Sequence, residues 1–142
     1  MDDHEFLGSL PLFRDVPKIE LTEVLSMVEA VRFHADEVIL LEGEATNDLL
    51  IVREGTVEVY VSRDGKRISI TKLGPGSYFG EMSVFDDYPR SANVRAVTDV
   101  IVHRIERDAF RDFLKTNPAA MFQMCTIFSH RLRNTNSALA KH

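Results

Sequence analysis

Hydrophobic positions change their period twice along this chain. Between Glu5 and Val31, the set Leu21, Val24, Leu25 and Val28 falls at i, i+3, i+4 and i+7, one face of an amphipathic helix. Pro11 and Pro17 interrupt what precedes it, which predicts only short helical pieces there. From Phe33 to Glu106 the period shortens. Val57, Val59 and Val61 alternate with Glu58 and Tyr60, Asp64-Gly65 supplies a hairpin turn, and Ile68 and Ile70 resume the alternation. Gly43, Gly55, Gly65, Gly74 and Gly76 recur about every ten residues, the rhythm of short antiparallel strands. Val100, Val102 and Ile105 are the clearest strand residues of the last apolar stretch.

After Arg107 the helical period returns. It predicts a short helix over Asp108 to Lys115 and a long one from Pro118 to about Leu139, with Pro118 in its first turn and Asn117 as its cap. Met121, Cys125, Phe128, Leu132, Thr135 and Leu139 form a heptad-like stripe on the long helix. Such a stripe either packs on the chain's own β-region or forms a seam with a second copy.

Helix, strands, helix predicts a mostly β fold with flanking helices: a jelly roll or β-barrel of roughly eight strands. Length fits one domain over 1–142, with an N-terminal helical segment at 1–32, a β-region at 33–106 and C-terminal helices at 107–142. Composition changes this picture little: 44% of residues are hydrophobic and 27% charged, as in ordinary globular proteins. The net charge of −5 argues against nonspecific nucleic-acid binding, which needs a surplus of Lys and Arg. One cysteine, Cys125, cannot form an intrachain disulfide. The acidic start Met1-Asp2-Asp3 lacks the basic flank of a secretory signal, and apolar runs such as Val38 to Leu41 are far too short to cross a membrane. A cytoplasmic protein without membrane contact is expected.

Candidate chemistry is concentrated between Phe79 and Val94, where the β-pattern breaks. Gly80 precedes residues suited to a short helix, and a helix start presents backbone N–H groups to an anion. Arg90, at the start of an apolar strand, would be costly to bury unpaired, and guanidinium suits phosphate geometry. Ser91 adds a hydroxyl donor. Glu81 would repel an anion unless it accepts from ligand hydroxyls, so a ligand with a phosphate and a free ribose hydroxyl meets both demands. A Glu81–Arg90 ion pair bracing a loop is the alternative. No His-x-His pair, no serine nucleophile elbow and no paired catalytic acids stand out, so neither a metal enzyme nor a hydrolase is expected. The basic cluster His130, Arg131 and Arg133 reads as a solvated helix face.

Phe79-Gly80-Glu81, a short apolar stretch, then Pro89-Arg90-Ser91-Ala92-x-Val94 resembles the phosphate-binding cassette (79–94) of cyclic nucleotide-binding domains. Pro11-Leu12-Phe13, Glu42-Gly43-Glu44, Glu54-Gly55-Thr56-Val57-Glu58-Val59 and Asn117-Pro118 extend the resemblance over nearly the whole chain, most closely to the sensor domains of bacterial catabolite activator-type regulators. The resemblance implies an eight-stranded jelly roll (a double-stranded β-helix) and a C-terminal lid or dimerisation helix. It implies that Glu81 accepts from the ribose 2′-hydroxyl and that Arg90 pairs with the cyclic phosphate. Backbone N–H groups near Met82, Ser83 and Ala92 would cradle that phosphate, Ser91 would donate to it or to a guanine edge, and Asn47 or Asp48 would orient Arg90. Thr135 and Asn136 stand where such regulators reach the adenine, which favours cyclic AMP; Ser91 is compatible with cyclic GMP.

The function this implies is noncatalytic sensing through the C-terminal helix, with no cofactor beyond the nucleotide ligand. A homodimer through 118–139 and an effector protein of unknown identity are the expected partners. The chain stops at His142, where activator-type regulators continue into a helix-turn-helix, so no direct DNA binding is expected. The alternative is a degenerate member kept as an interaction or dimerisation scaffold.

Overall fold

The computed structural model describes the backbone of residues 1–140 and the side chains of residues 1–134. These form two compact units, one from Met27–Arg111 and one from Met1–Ser26 with residues 112 onward.

The first unit is built from strands β1 (Val28–Phe33), β2 (Val38–Leu40), β3 (Leu49–Glu54), β4 (Val57–Arg63), β5 (Lys66–Leu73), β6 (Tyr78–Phe79), β7 (Asn93–Ala96) and β8 (Val100–Ile105). They make two four-stranded antiparallel sheets, ordered β1-β8-β3-β6 and β2-β7-β4-β5. β1 pairs with β8, β2 with β7, β3 with β6 and β4 with β5. This is one long hairpin rolled upon itself, the jelly roll that the sequence predicts. The closure implied by a barrel is absent, because no ladder among the described residues joins one sheet to the other.

The tip of the ribbon is the turn between β4 and β5. Asp64 and Gly65 have φ of 54° and 74°, the left-handed pair that a two-residue hairpin turn requires. Between the sheets lies a core that includes Leu40, Leu50, Val52, Val57, Phe79, Val94, Ala96, Val100 and Val102. Strand alternation sends these side chains inward.

Two local expectations need correcting. The first helical region ends at Met27, not at residue 32: Val28 opens β1 and pairs with Ile105 of β8. β-branched Val28 and Val31 fit a pleated surface as well as a helix face, and the ladder to β8 decides between them. Asn117 precedes the last helix as expected, and its carbonyl accepts from Met121 N at 3.1 Å, but its side-chain amide turns backwards and donates to the Phe113 carbonyl at 2.8 Å, so the side chain closes the preceding helix instead of capping the next.

The helical unit holds α1 (Asp3–Gly8), a 3-10 turn (Pro11–Phe13), α2 (Lys18–Met27) but for its last residue, the second half of α3 (Arg107–Thr116), and α4 (Pro118–Ala140). Phe13 and Phe113 meet edge to face, with ring centres 6.2 Å apart. Among the described residues, no helix is long and apolar enough to cross a membrane.

Candidate functional site

Ribbon pairing places the site. Because β2 lies on β7 and β3 on β6, the β2–β3 connection (41–48) must lie against the β6–β7 connection (80–92). The two segments are joined through Arg90. Its backbone carbonyl accepts from Gly43 N at 2.8 Å, and its N–H donates to the Glu44 carbonyl at 2.9 Å. Nearby, Glu42 N donates to the Asn93 side chain at 2.9 Å.

The Arg90 side chain is only 5% exposed. Nε donates to Thr46 Oγ1 at 3.0 Å, Nη2 to the Asp48 carbonyl at 3.0 Å, and Nη1 to the Gly80 carbonyl at 3.2 Å. Burial pulls the guanidinium below its ordinary pKa, opposed by the charges of Asp48 and Glu44. An arginine stays protonated throughout the physiological range. Of its five N–H donors, three are taken by neutral oxygens, and one hydrogen on each Nη remains for an acceptor. The partners of the guanidinium are therefore not those of a Glu81–Arg90 brace.

Gly80 is required twice over. Its φ of 76° lies in the left-handed region, and a Cβ there would stand 2.5 Å from Arg90 Nη1 and 3.0 Å from the Asp48 carbonyl. It opens a 3-10 turn over Glu81–Val84, shorter and tighter than an α-helix. The first N–H groups of such a turn have no partner within it. Glu81 is 2% exposed, Ser83 is also buried, and Met82 is half exposed. Ser91 is exposed and Ala92 intermediate. The structure thus brings Gly80, Glu81, Met82, Ser83, Arg90, Ser91 and Ala92 into one connection, with Gly80 and Arg90 in direct contact. The side chains of Thr135 and Asn136 lie outside the described residues.

The middle of the connection is anchored too. Arg111 Nε donates to the Val84 carbonyl, and Arg107 Nη1 reaches Asp87 Oδ1 at 2.8 Å.

A solvent-open cleft of about 420 Å³ meets the cassette only at Arg90. Glu44, Thr46, Asp48 and Arg104 supply its other polar walls, and Val31, Phe33, Ile39, Leu40 and Leu50 its apolar ones. Two carboxylates balance two guanidinium groups, so this cleft is not an anion cradle. The surplus of donors lies on the Gly80–Arg90 side.

The family resemblance implies Asn47 or Asp48 beneath Arg90. Asp48 is there, but through its main-chain carbonyl. Thr46 carries no signal in the sequence, since nothing local distinguishes that threonine from any other loop residue.

Residues 30–117, more than half of the chain, match the family model of the cyclic nucleotide-binding domain. The chain belongs to that family. Among its curated relatives is the CRP-like cAMP-activated global transcriptional regulator of Mycobacterium tuberculosis, 30% identical over 137 residues, 96% of this chain and 61% of that protein. Another is the cAMP-dependent protein kinase regulatory subunit of Emericella nidulans, 31% identical over 109 residues, 77% of this chain and 26% of that protein. The catabolite activator protein of Thermus thermophilus superposes with a TM-score of 0.85 at 27% identity, covering 92% of this chain and 62% of that one. The chain therefore spans about three fifths of the first relative and a quarter of the second. These relatives are named as regulators and regulatory subunits. A transcriptional regulator among them leaves no ground for excluding DNA as a downstream partner.

Proposed function

We propose that the chain is a noncatalytic sensor that binds cyclic AMP in preference to cyclic GMP, with Gly80, Glu81, Met82, Ser83, Arg90, Ser91 and Ala92 forming the site. The observation that carries this reading is Arg90: a buried cation, aimed by three neutral acceptors, with donors to spare beside the start of a 3-10 turn. The cyclic phosphate completes that donor set, and its exocyclic oxygens suit a guanidinium fork. Glu81 takes the ribose 2′-hydroxyl. The preference for cyclic AMP draws on relatives named for that nucleotide and on Thr135 and Asn136 as adenine contacts.

In this reading α4 closes over the base and carries the signal to an effector, and two copies pair along 118–139. Cys125 is exposed and Leu132 is 63% exposed on the stripe expected to form that seam, which supports a surface awaiting cover. A cytoplasmic setting fits the single cysteine.

Arg90→Leu tests the site. Charge-assisted hydrogen bonds contribute about 1.5–3 kcal/mol each, and ~1.4 kcal/mol is tenfold in affinity. We expect at least a tenfold loss of cyclic AMP affinity; wild-type affinity in a folded variant would remove Arg90 from the site.

A further inference from the structure

We propose that Thr46 is a positioning residue for the ligand, acting through Arg90; the proposal rests on the cyclic nucleotide reading. Thr46 and Asp48 lie two residues apart on one connection and take Nε and Nη2, the side edge of the guanidinium. The Asp48 acceptor is a main-chain carbonyl and is fixed by the fold. The Thr46 acceptor is a side chain, and it is the one side-chain oxygen among the guanidinium's hydrogen-bond partners.

A hydroxyl can rotate, so something must aim it. Glu44 does this. Thr46 Oγ1 donates to Glu44 Oε2 at 3.1 Å, while Glu44 Oε1 accepts from Leu41 N at 3.1 Å. With its single hydrogen directed to the carboxylate, the Thr46 oxygen presents lone pairs to Arg90 Nε. The relay runs from the Leu41 backbone through Glu44 and Thr46 to the arginine. It fixes the plane of the fork, and hence the direction of the remaining Nη hydrogens. Thr46 itself is exposed, so its role is not packing.

The test is titration with cyclic AMP of the wild-type chain, Thr46→Val, Thr46→Ser and Arg90→Lys, with and without Thr46→Val. Exchange of the Arg90 Nε–H is followed by NMR in the ligand-free protein. Thr46→Val should weaken binding about tenfold, as expected for one charge-assisted hydrogen bond, in a variant that still melts cooperatively. Thr46→Ser should restore affinity. Arg90→Lys lacks the Nε–H, so adding Thr46→Val to it should cost nothing further. Exchange of the Nε–H should quicken in Thr46→Val. Unchanged affinity in Thr46→Val, while the wild type binds, overturns the proposal and leaves the sensor reading intact. A wild type that binds no cyclic nucleotide overturns both, and persisting Nε–H protection would then place the fault in the reading rather than in the Thr46 contact.

Discussion

Arg90 and Gly80 act as a pair, because the glycine lacks a side chain where the guanidinium must pass. Gly80→Ala would put a methyl group 2.5 Å from Arg90 Nη1 at a φ of 76°. Left-handed backbone costs a residue with a Cβ about 1–2 kcal/mol, and the displaced guanidinium loses its aim. We expect Gly80→Ala to lower the melting temperature and to reduce cyclic AMP affinity at least tenfold, measured by thermal denaturation and titration of the same sample. A second residue-scale prediction concerns acid. Hydrogen bonds from Ser69 and Arg95 hold the buried Glu58 below the ordinary carboxylate range. Its stabilising contribution is present above the ordinary glutamate value and is lost as pH falls through the lower folded value. Glu58→Gln should therefore be less stable than wild type at pH 7, and the difference should shrink in acid denaturation experiments. Glu81 and Arg90 stand out in the sequence because charge in an apolar context needs a reason. Thr46 does not, because its importance arises only when β2 meets β7 and β3 meets β6 and so bring Arg90, 44 residues further on, beside it.

At the scale of elements, the connection from Gly80 to Ala92 is held near its end and in its middle. Arg90 fastens one end to the β2–β3 loop, and Arg111 and Arg107 fasten the middle to the first half of α3. Arg111→Ala releases the Val84 carbonyl, so amide exchange over residues 81–87 should rise while β3 and β8 stay protected; equal protection in the variant would show that the contact does not restrain the turn. Strands announced by alternation were legible, as β4 and β5 and their Asp64-Gly65 turn illustrate. The boundary at Val28 was not, since valines suit helix and strand alike and the deciding ladder is to β8 at the other end of the unit. Asn117 illustrates the same limit: one amide can serve the helix behind it or the helix ahead, and the local sequence does not choose.

The whole molecule joins a rolled ribbon of strands, which carries the cassette, to a helical unit whose long last helix bears an apolar stripe. Sensing requires that ligand favour one arrangement of that helix over another. Hydrogen exchange along 118–134 should slow when cyclic AMP binds, and unchanged exchange would sever α4 from sensing. The central claim is simpler, and calorimetric titration tests it most directly. Purified protein stripped of nucleotide is titrated with cyclic AMP and then cyclic GMP. Saturable binding, tighter for cyclic AMP and at least tenfold weaker in Arg90→Leu, is the predicted result. No heat with either nucleotide, together with an unshifted melting temperature, would contradict it and leave a scaffold that keeps the cassette without using it.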